Sequence, residues 1–116
     1  LEEIPMRARE CIIFFDLTRG RAVDYEEVVD ISQSINRCPS AREAIPCCVP
    51  RGLLWLRRRF RLIEPNECLA FQGVRLRSKA EVANFSGAEL VSLAGNAFSA
   101  NTVAAVVMGV LGAIPY

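Results

Sequence analysis

The last stretch of the chain, "SANTVAAVVMGVLGAI" from Ser99 to Ile114, constrains the fold more than any other. Val103 to Ile114 is an apolar run of 12 residues without a charge. A bilayer span needs about 20 such residues. Extending this run N-terminally meets Thr102, Asn101, Ser99 and Asn96. It therefore reads as a buried helix rather than a membrane span. Val103, Val106, Val107, Val110 and Leu111 form its apolar stripe at helical spacing, while Ala104, Ala105 and Gly109 permit close packing. A helix rich in Val and Ala needs an apolar partner face wherever it sits.

Capping residues mark the other helices. "MRARECIIFFDLTRG" predicts a helix over 6–19, with Gly20 past its end. Cys11, Phe14, Phe15 and Leu17 can share a face of it, although "CIIFF" alone also fits a strand. Pro65 suits the first position of a helix over 65–72, stopped by Gly73. Ser78 with Glu81 and Ser86 with Glu89 are two capping boxes, opening helices over 79–84 and 87–94. The second of these ends at Gly95, and Ser99 or Asn101 can cap the last helix over 100–112. Three short strands complete the reading, over 28–32, 46–49 and 53–59, with a turn at Pro50-Arg51-Gly52 and a loop from Gln33 to Ala44. The class is α+β, with a small basic β unit followed by short helices.

Net charge is only +1, so bulk attraction to a nucleic acid is excluded. Its distribution is uneven. Leu1 to Asp30 holds eight acids against four Arg, and Arg51 to Lys79 holds eight bases against two acids. All but one of the bases are Arg, whose planar fork suits phosphate and carboxylate. The five cysteines include no CxxC pair and there is no histidine, which argues against zinc, against a disulfide framework and for a reducing compartment. Lack of His also excludes Ser-His and Cys-His nucleophile arrangements. The chain starts at Leu1 without a basic n-region or cleavage site, so no signal peptide is expected and the start reads as the interior of a longer protein.

Two blocks in order, "RLIEPNECLAFQGV" and "LAGNAFSANTVAAV", resemble the last two signature blocks of DNA cytosine-5 methyltransferases. The first is similar to that family's Arg-Leu-Thr-Pro-x-Glu-x-x-x-Leu-Gln-Gly-Phe-Pro block, with Arg61, Leu62, Pro65, Glu67, Gln72 and Gly73 at matching spacing. The second is similar to its Gly-Asn-(Ser/Ala) block, with Gly95, Asn96, Ala97 and Val103 in register. The form with "LAGNAFS" is most like divergent algal and protist members. "VVDISQS" and "IPCCVPRGLLWLRRRFR" look like the segment joining target recognition to those blocks. The resemblance spans roughly Val28 to Leu111. Glu64 in place of Thr, Ala70 in place of Arg, and Val74-Arg75 in place of Phe-Pro depart from the pattern.

The resemblance implies residues 1–60 as the end of a target-recognition-like region and 61–116 as closing elements of a Rossmann-like methyltransferase domain. It implies that Gly95-Asn96-Ala97 closes over an S-adenosylmethionine pocket in the complete protein. Asn96 equally serves as a capping or turn residue. Arg57, Arg59 and Arg61 would share one strand face with Trp55 and contact DNA phosphates, or form a solvated, salt-bridged face. Glu67, Gln72 and Gly73 are structural, with Glu67 bracing the helix start against Arg61. Cys47 and Cys48, in "PCC", lie too late to be the family's nucleophile and read as buried strand residues. No Phe-x-Gly-x-Gly cofactor loop, Glu-Asn-Val or Arg-x-Arg segment is in the chain. The expected partners are DNA and the remaining catalytic half of the parent, with no membrane and no metal, inside the cell and in the nucleus of a eukaryote. In isolation the segment is expected to be inactive. The competing reading is a non-catalytic module whose Arg face binds nucleic acid or an acidic protein.

Overall fold

The structure, a computed structural model, describes residues 4–21, 24–76 and 78–114, without the side chains of Lys79 and Val82. The expected start at Leu1 and one base of the central stripe, Arg77, lie outside the described residues. The class is α+β. Helix α1 (Met6–Arg19) is followed by β1 (Glu27–Asp30), a 3-10 turn at Ile35–Arg37, β2 (Ser40–Arg42), β3 (Leu54–Leu56) and β4 (Arg61–Leu62). Helices α2 (Pro65–Phe71), α3 (Lys79–Ala83), α4 (Gly87–Asn96) and α5 (Ala100–Ala113) complete the chain. The strands form one antiparallel sheet in the order β2-β1-β3-β4.

Strand β1 is buried along its whole length because each of its faces meets a different helical layer. Val29 and Ile31, with Trp55 of β3, pack against Ala8, Cys11, Ile12 and Phe15 of α1. On the opposite face Val28, Leu54 and Leu56 pack with Cys68 and Leu69 of α2 and Leu90 and Ala94 of α4. Period-2 alternation sends neighbouring residues to opposite faces, so Val28 and Val29 enter different cores, while the buried acids Glu27 and Asp30 at the strand ends are hydrogen-bonded. The expected division after residue 60 runs through this packing. It would cut the β3–β4 hairpin, where Leu56 pairs with Arg61, and split the second core.

Other expectations change as well. Residues 46–49 form no strand. Val49 instead closes a turn, its carbonyl accepting from the Gly52 N–H at 2.9 Å. Pro46 and Pro50 bracket this segment and deny it ladder donors. Cys47 is exposed and Cys48 half-buried, so neither is a buried strand residue. A strand appears instead at Ser40–Arg42, inside the expected loop, where it pairs with β1 as the sheet edge. The strand expected over 53–59 stops at Leu56, and residues 57–60 form the hairpin turn, with Phe60 at φ 53°.

Helix ends follow their capping residues closely. At α2, Gly73 adopts φ 78°, its N–H bonding the Ala70 carbonyl while the Val74 N–H bonds that of Leu69, both at 3.0 Å. That is a Schellman closure, which requires the left-handed residue glycine supplies. At α4 the Glu89 N–H donates to Ser86 Oγ at 3.3 Å, and the Ser86 N–H donates to Glu89 Oε2 at 2.7 Å. Helix α4 then continues through Gly95 to Asn96, two residues past its expected end.

Helix α5 is not buried. Every described residue from 100 to 114 is exposed, including Val106 at 61% and Met108 at 69%. The radius of gyration is 16.7 Å, against about 13 Å for a compact chain of this length. The segment Gly87–Ala113 has 27 residues and contains an 18-residue stretch of mean hydropathy 1.5, 11% of it buried, so it is long and apolar enough by length and composition to cross a membrane. However, residues 97–99 separate α4 from α5, and α4 is tied into the second core. Alone, the 14 residues of α5 reach about 21 Å, short of the ~30 Å hydrocarbon layer. Val107→Lys is accordingly expected to lower hydrophobic-dye binding and light scattering of the purified chain. The urea midpoint should barely move, because Val107 belongs to neither core.

Candidate functional site

The two sequence blocks, separated along the chain, meet in space through Gln72. This residue ends α2, and its side-chain Nε2 donates to the Ala94 carbonyl of α4 at 3.2 Å. Its own carbonyl accepts from the Ala100 N–H at the start of α5 at 2.8 Å. Gly73 lies against the same place, where an added Cβ would come to 3.3 Å from Ala100 Cβ and 3.4 Å from Asn101 Oδ1. One residue thus links the ends of three helices.

The start of α2 is braced separately. Arg61 grips Glu67 with both arms of its guanidinium, each bond at 2.8 Å. Glu67 Oε2 also accepts from the Glu64 N–H at 2.8 Å, satisfying a donor the helix start leaves unpaired. Arg61's hydrogen bonds hold the Glu67 carboxyl down to about 2, further helped by the Glu64 N–H. A lowered carboxyl stabilises the fold fully above its ordinary value of 4.5 and loses that contribution as pH falls through about 2. Hence the stability difference between wild type and Glu67→Gln is expected to be constant near neutrality and to shrink between pH 4.5 and 2. Urea midpoints measured across that range check it. Both side chains are about a third exposed, so the difference is small.

Gly95 has a different role from the one expected. It lies inside α4 with no left-handed backbone, so it does not provide a helix exit. A Cβ at this position would fall on the Val49 carbonyl carbon and the Pro50 nitrogen, with Pro50 Cδ only 2.7 Å away. Glycine is required because α4 lies directly on the backbone of the turn that replaces the expected strand. Asn96 is exposed, and its Nδ2 donates to the Ser92 carbonyl at 2.9 Å and to Ser92 Oγ at 3.5 Å. Ala97, in extended geometry, turns the chain away from α4. By themselves these residues do not enclose a molecule the size of S-adenosylmethionine. Gly95 faces inward, and Asn96 and Ala97 offer one open edge.

The expected Arg face is dismantled by the hairpin. The Arg57 side chain is 2% exposed and points inward beneath α1. It bonds Glu27 Oε2 at 2.6 Å and the carbonyls of Phe15 at 3.2 Å and Gly20 at 2.5 Å. Arg19 also pairs with Glu27, from the outer side. Burial pulls the Glu27 carboxyl up, but hydrogen bonds from Arg57 and Ser40 and the charges of Arg19 and Arg57 leave it below its ordinary value. Arg57 is therefore unavailable to DNA phosphates. Arg59 remains 65% exposed, 3.5 Å from Glu26, and Arg61 is committed to Glu67. The accessible bases of this turn are Arg58 and Arg59.

A cavity of about 490 Å³ opens between the hairpin and the helical layer, lined among others by Arg51, Leu54, Leu62, Pro65, Cys68 and Val91. Its walls are mostly hydrocarbon, with Arg51 and Glu64 the charged residues lining it. Burial pushes the Cys68 thiol up to about 11, which disfavours a nucleophilic thiolate there. Among the described residues no group of three Cys, Asp or Glu is placed to hold a metal ion. The sequence missed the inward role of Arg57. The available signal was Glu27, an acid two residues before Val29 and so on the same strand face. No family model, no curated protein and no solved structure matches the chain.

Proposed function

We propose that this chain is the C-terminal segment of an S-adenosylmethionine-dependent DNA cytosine-5 methyltransferase. In this reading it carries the end of the target-recognition region and the closing elements of a Rossmann-like catalytic domain. The observation that supports the reading is the Gln72 junction. Two blocks that resemble family signatures only as strings meet in space, with Gln72 and Gly73 of the first against Ala94, Ala100 and Asn101, which flank Gly95-Asn96-Ala97 in the second. The Arg61–Glu67 brace at the head of the first block supports it too.

The part this chain plays is positional. Arg61 and Glu67 fix the entry of α2, Gln72 fixes its exit, and Gly95 seats α4 on the Val49–Pro50 turn. Together they hold Asn96 and Ala97 at an exposed edge. When bound to the complete enzyme, the cofactor supplies the methyl group. The nucleophilic Cys, the acid that engages a flipped cytosine and the main cofactor loop belong to the rest of the parent. Helix α5, apolar all round, packs on that remainder. Arg58 and Arg59, the latter paired with Glu26 but largely exposed, are the bases that would approach a phosphate backbone. In a eukaryote the site of action is the nucleus.

The test is methyl transfer by the full reading frame that contains this chain. Purified product is incubated with tritiated S-adenosylmethionine and, separately, with cytosine-containing duplex DNA or structured RNA. Label on DNA cytosine C5 is the expected result. Label on RNA alone, or on neither, overturns the proposal, as does a reading frame without a Pro-Cys nucleophile upstream.

A further inference from the structure

We propose that Cys11 and Cys38 are a disulfide-forming pair, which links α1 to the 3-10 turn after β1 when the protein meets a low-molecular-weight disulfide. All five cysteines are free thiols in the structure. Yet the Cys11 and Cys38 sulfurs lie 3.2 Å apart, on residues 27 positions apart in the chain. Cys11 sits in the first core at 1% exposure, on the face of α1 turned to the sheet. Cys38 follows the Ile35–Arg37 turn and is half-buried against the same core.

Local contacts fix both thiols in this place. Cys38 Sγ lies 3.3 Å from the Ser34 carbonyl and 3.8 Å from that of Gln33, and Cys11 Sγ is also 3.8 Å from the Gln33 carbonyl. A disulfide bond is about 2.05 Å long, so closure requires the sulfurs to approach by only about 1 Å more. Cys38 caps the three-residue Ile35–Arg37 turn in the connection between β1 and β2, so that connection can supply the movement while α1 stays seated. By contrast, the Cys47 thiol of the adjacent pair Cys47-Cys48 is turned to the Cys48 carbonyl at 3.8 Å.

The reaction has two steps. Cys38, the more accessible of the two, loses its proton, and its sulfur attacks one sulfur of the external disulfide. The external S–S bond breaks, a mixed disulfide forms and one thiolate leaves. Cys11 then loses its proton and attacks the Cys38 sulfur, expelling the second external thiolate. Two protein thiols are oxidised, one external disulfide is reduced, and the two released protons finish on the two departing thiols. Burial and the neighbouring Cys11 push the Cys38 thiol up to about 12. Little thiolate therefore exists near neutrality, and the first step is slow. The bond thus accumulates under sustained oxidation rather than in a rapid response.

The experiment uses the purified chain with oxidised glutathione in mildly alkaline buffer, followed by intact mass, a non-reducing peptide map and a thermal melt. The expected product has lost two hydrogens, yields a Cys11–Cys38 cross-linked peptide, and melts roughly 10 °C higher because the closed loop restricts the unfolded chain. Dithiothreitol reverses both changes. Cys38→Ser shows neither, and Cys38→Ala provides the same control should the hydroxyl disturb folding. Several results overturn the proposal: a persistent glutathione adduct on Cys38, a link that forms first among Cys47, Cys48 and Cys68, a link that leaves the melt unchanged or lower, or no reaction.

Discussion

Arg57→Met is expected to destabilise the protein by about 3–5 kcal/mol, the usual cost of stripping the partner from a buried charge. That is a large share of the ~5–15 kcal/mol that holds a domain of this size together. The cost arises at Glu27, whose side chain is 1% exposed and would keep, among the described residues, Arg19 alone as an ionic partner, itself 47% exposed. The carbonyls of Phe15 and Gly20 at the end of α1 would each lose the bond from Arg57, Phe15 keeping one from Thr18 Oγ1 at 3.4 Å. The double variant Arg57→Met with Glu27→Leu is expected to recover most of the loss, since an apolar pair carries no desolvation penalty. Urea unfolding followed at Trp55, 3% exposed beside this cluster, reads both effects. A single variant within 1 kcal/mol of wild type, or a double variant worse than the single, would show that the network does not hold α1 to the sheet.

The second large effect is one of sign. Glycine inside a helix normally costs about 1 kcal/mol relative to alanine. Gly109→Ala in α5, where an added Cβ meets nothing within 4 Å, is therefore expected to stabilise its helix slightly. Gly95→Ala is expected to do the opposite and cost about 1–3 kcal/mol, the range for forcing atoms into a packed interior. The Cβ lands on main-chain atoms of Val49 and Pro50, which cannot rotate away as a flexible side chain would. Denaturation midpoints of the two variants, compared side by side, check the prediction. Equal behaviour would mean that α4 does not rest on that turn.

Helices were legible in the sequence because their ends are written in side chains. Ser86 and Glu89 satisfy each other's backbone groups, Pro65 opens α2, and Gly73 closes it. Such signals are local and survive without knowledge of the tertiary fold. Strand β1 was legible for a different reason, the β-branched Val28, Val29 and Ile31, although Glu27 and Asp30 are buried with them. Strand β2, Ser40-Ala41-Arg42, had no such pattern, because an edge strand is specified by its partner's free hydrogen bonds. Residues 46–49 misled in the opposite direction. Their apolar character serves the second core from a loop, with Cys48 packed against it. At the candidate site, the Arg61–Glu67 brace was one of two readings of Arg61, the other a DNA contact, and the two side chains do meet. The inward turn of Arg57 was not legible, because three consecutive arginines look alike until a hairpin gives each a different direction. Gly95 was misassigned because a helix stop and a close backbone approach call for the same residue.

Strand β1 has a consequence beyond packing. It lies between β2 and β3 and contributes side chains to both cores, so neither helical layer has a sheet of its own to fold upon. α1 cannot leave while α2 and α4 stay folded without exposing the back of the strand they share. The two layers therefore behave as a single cooperative unit. α5, outside both cores, is free to fray or be captured by another surface without disturbing them.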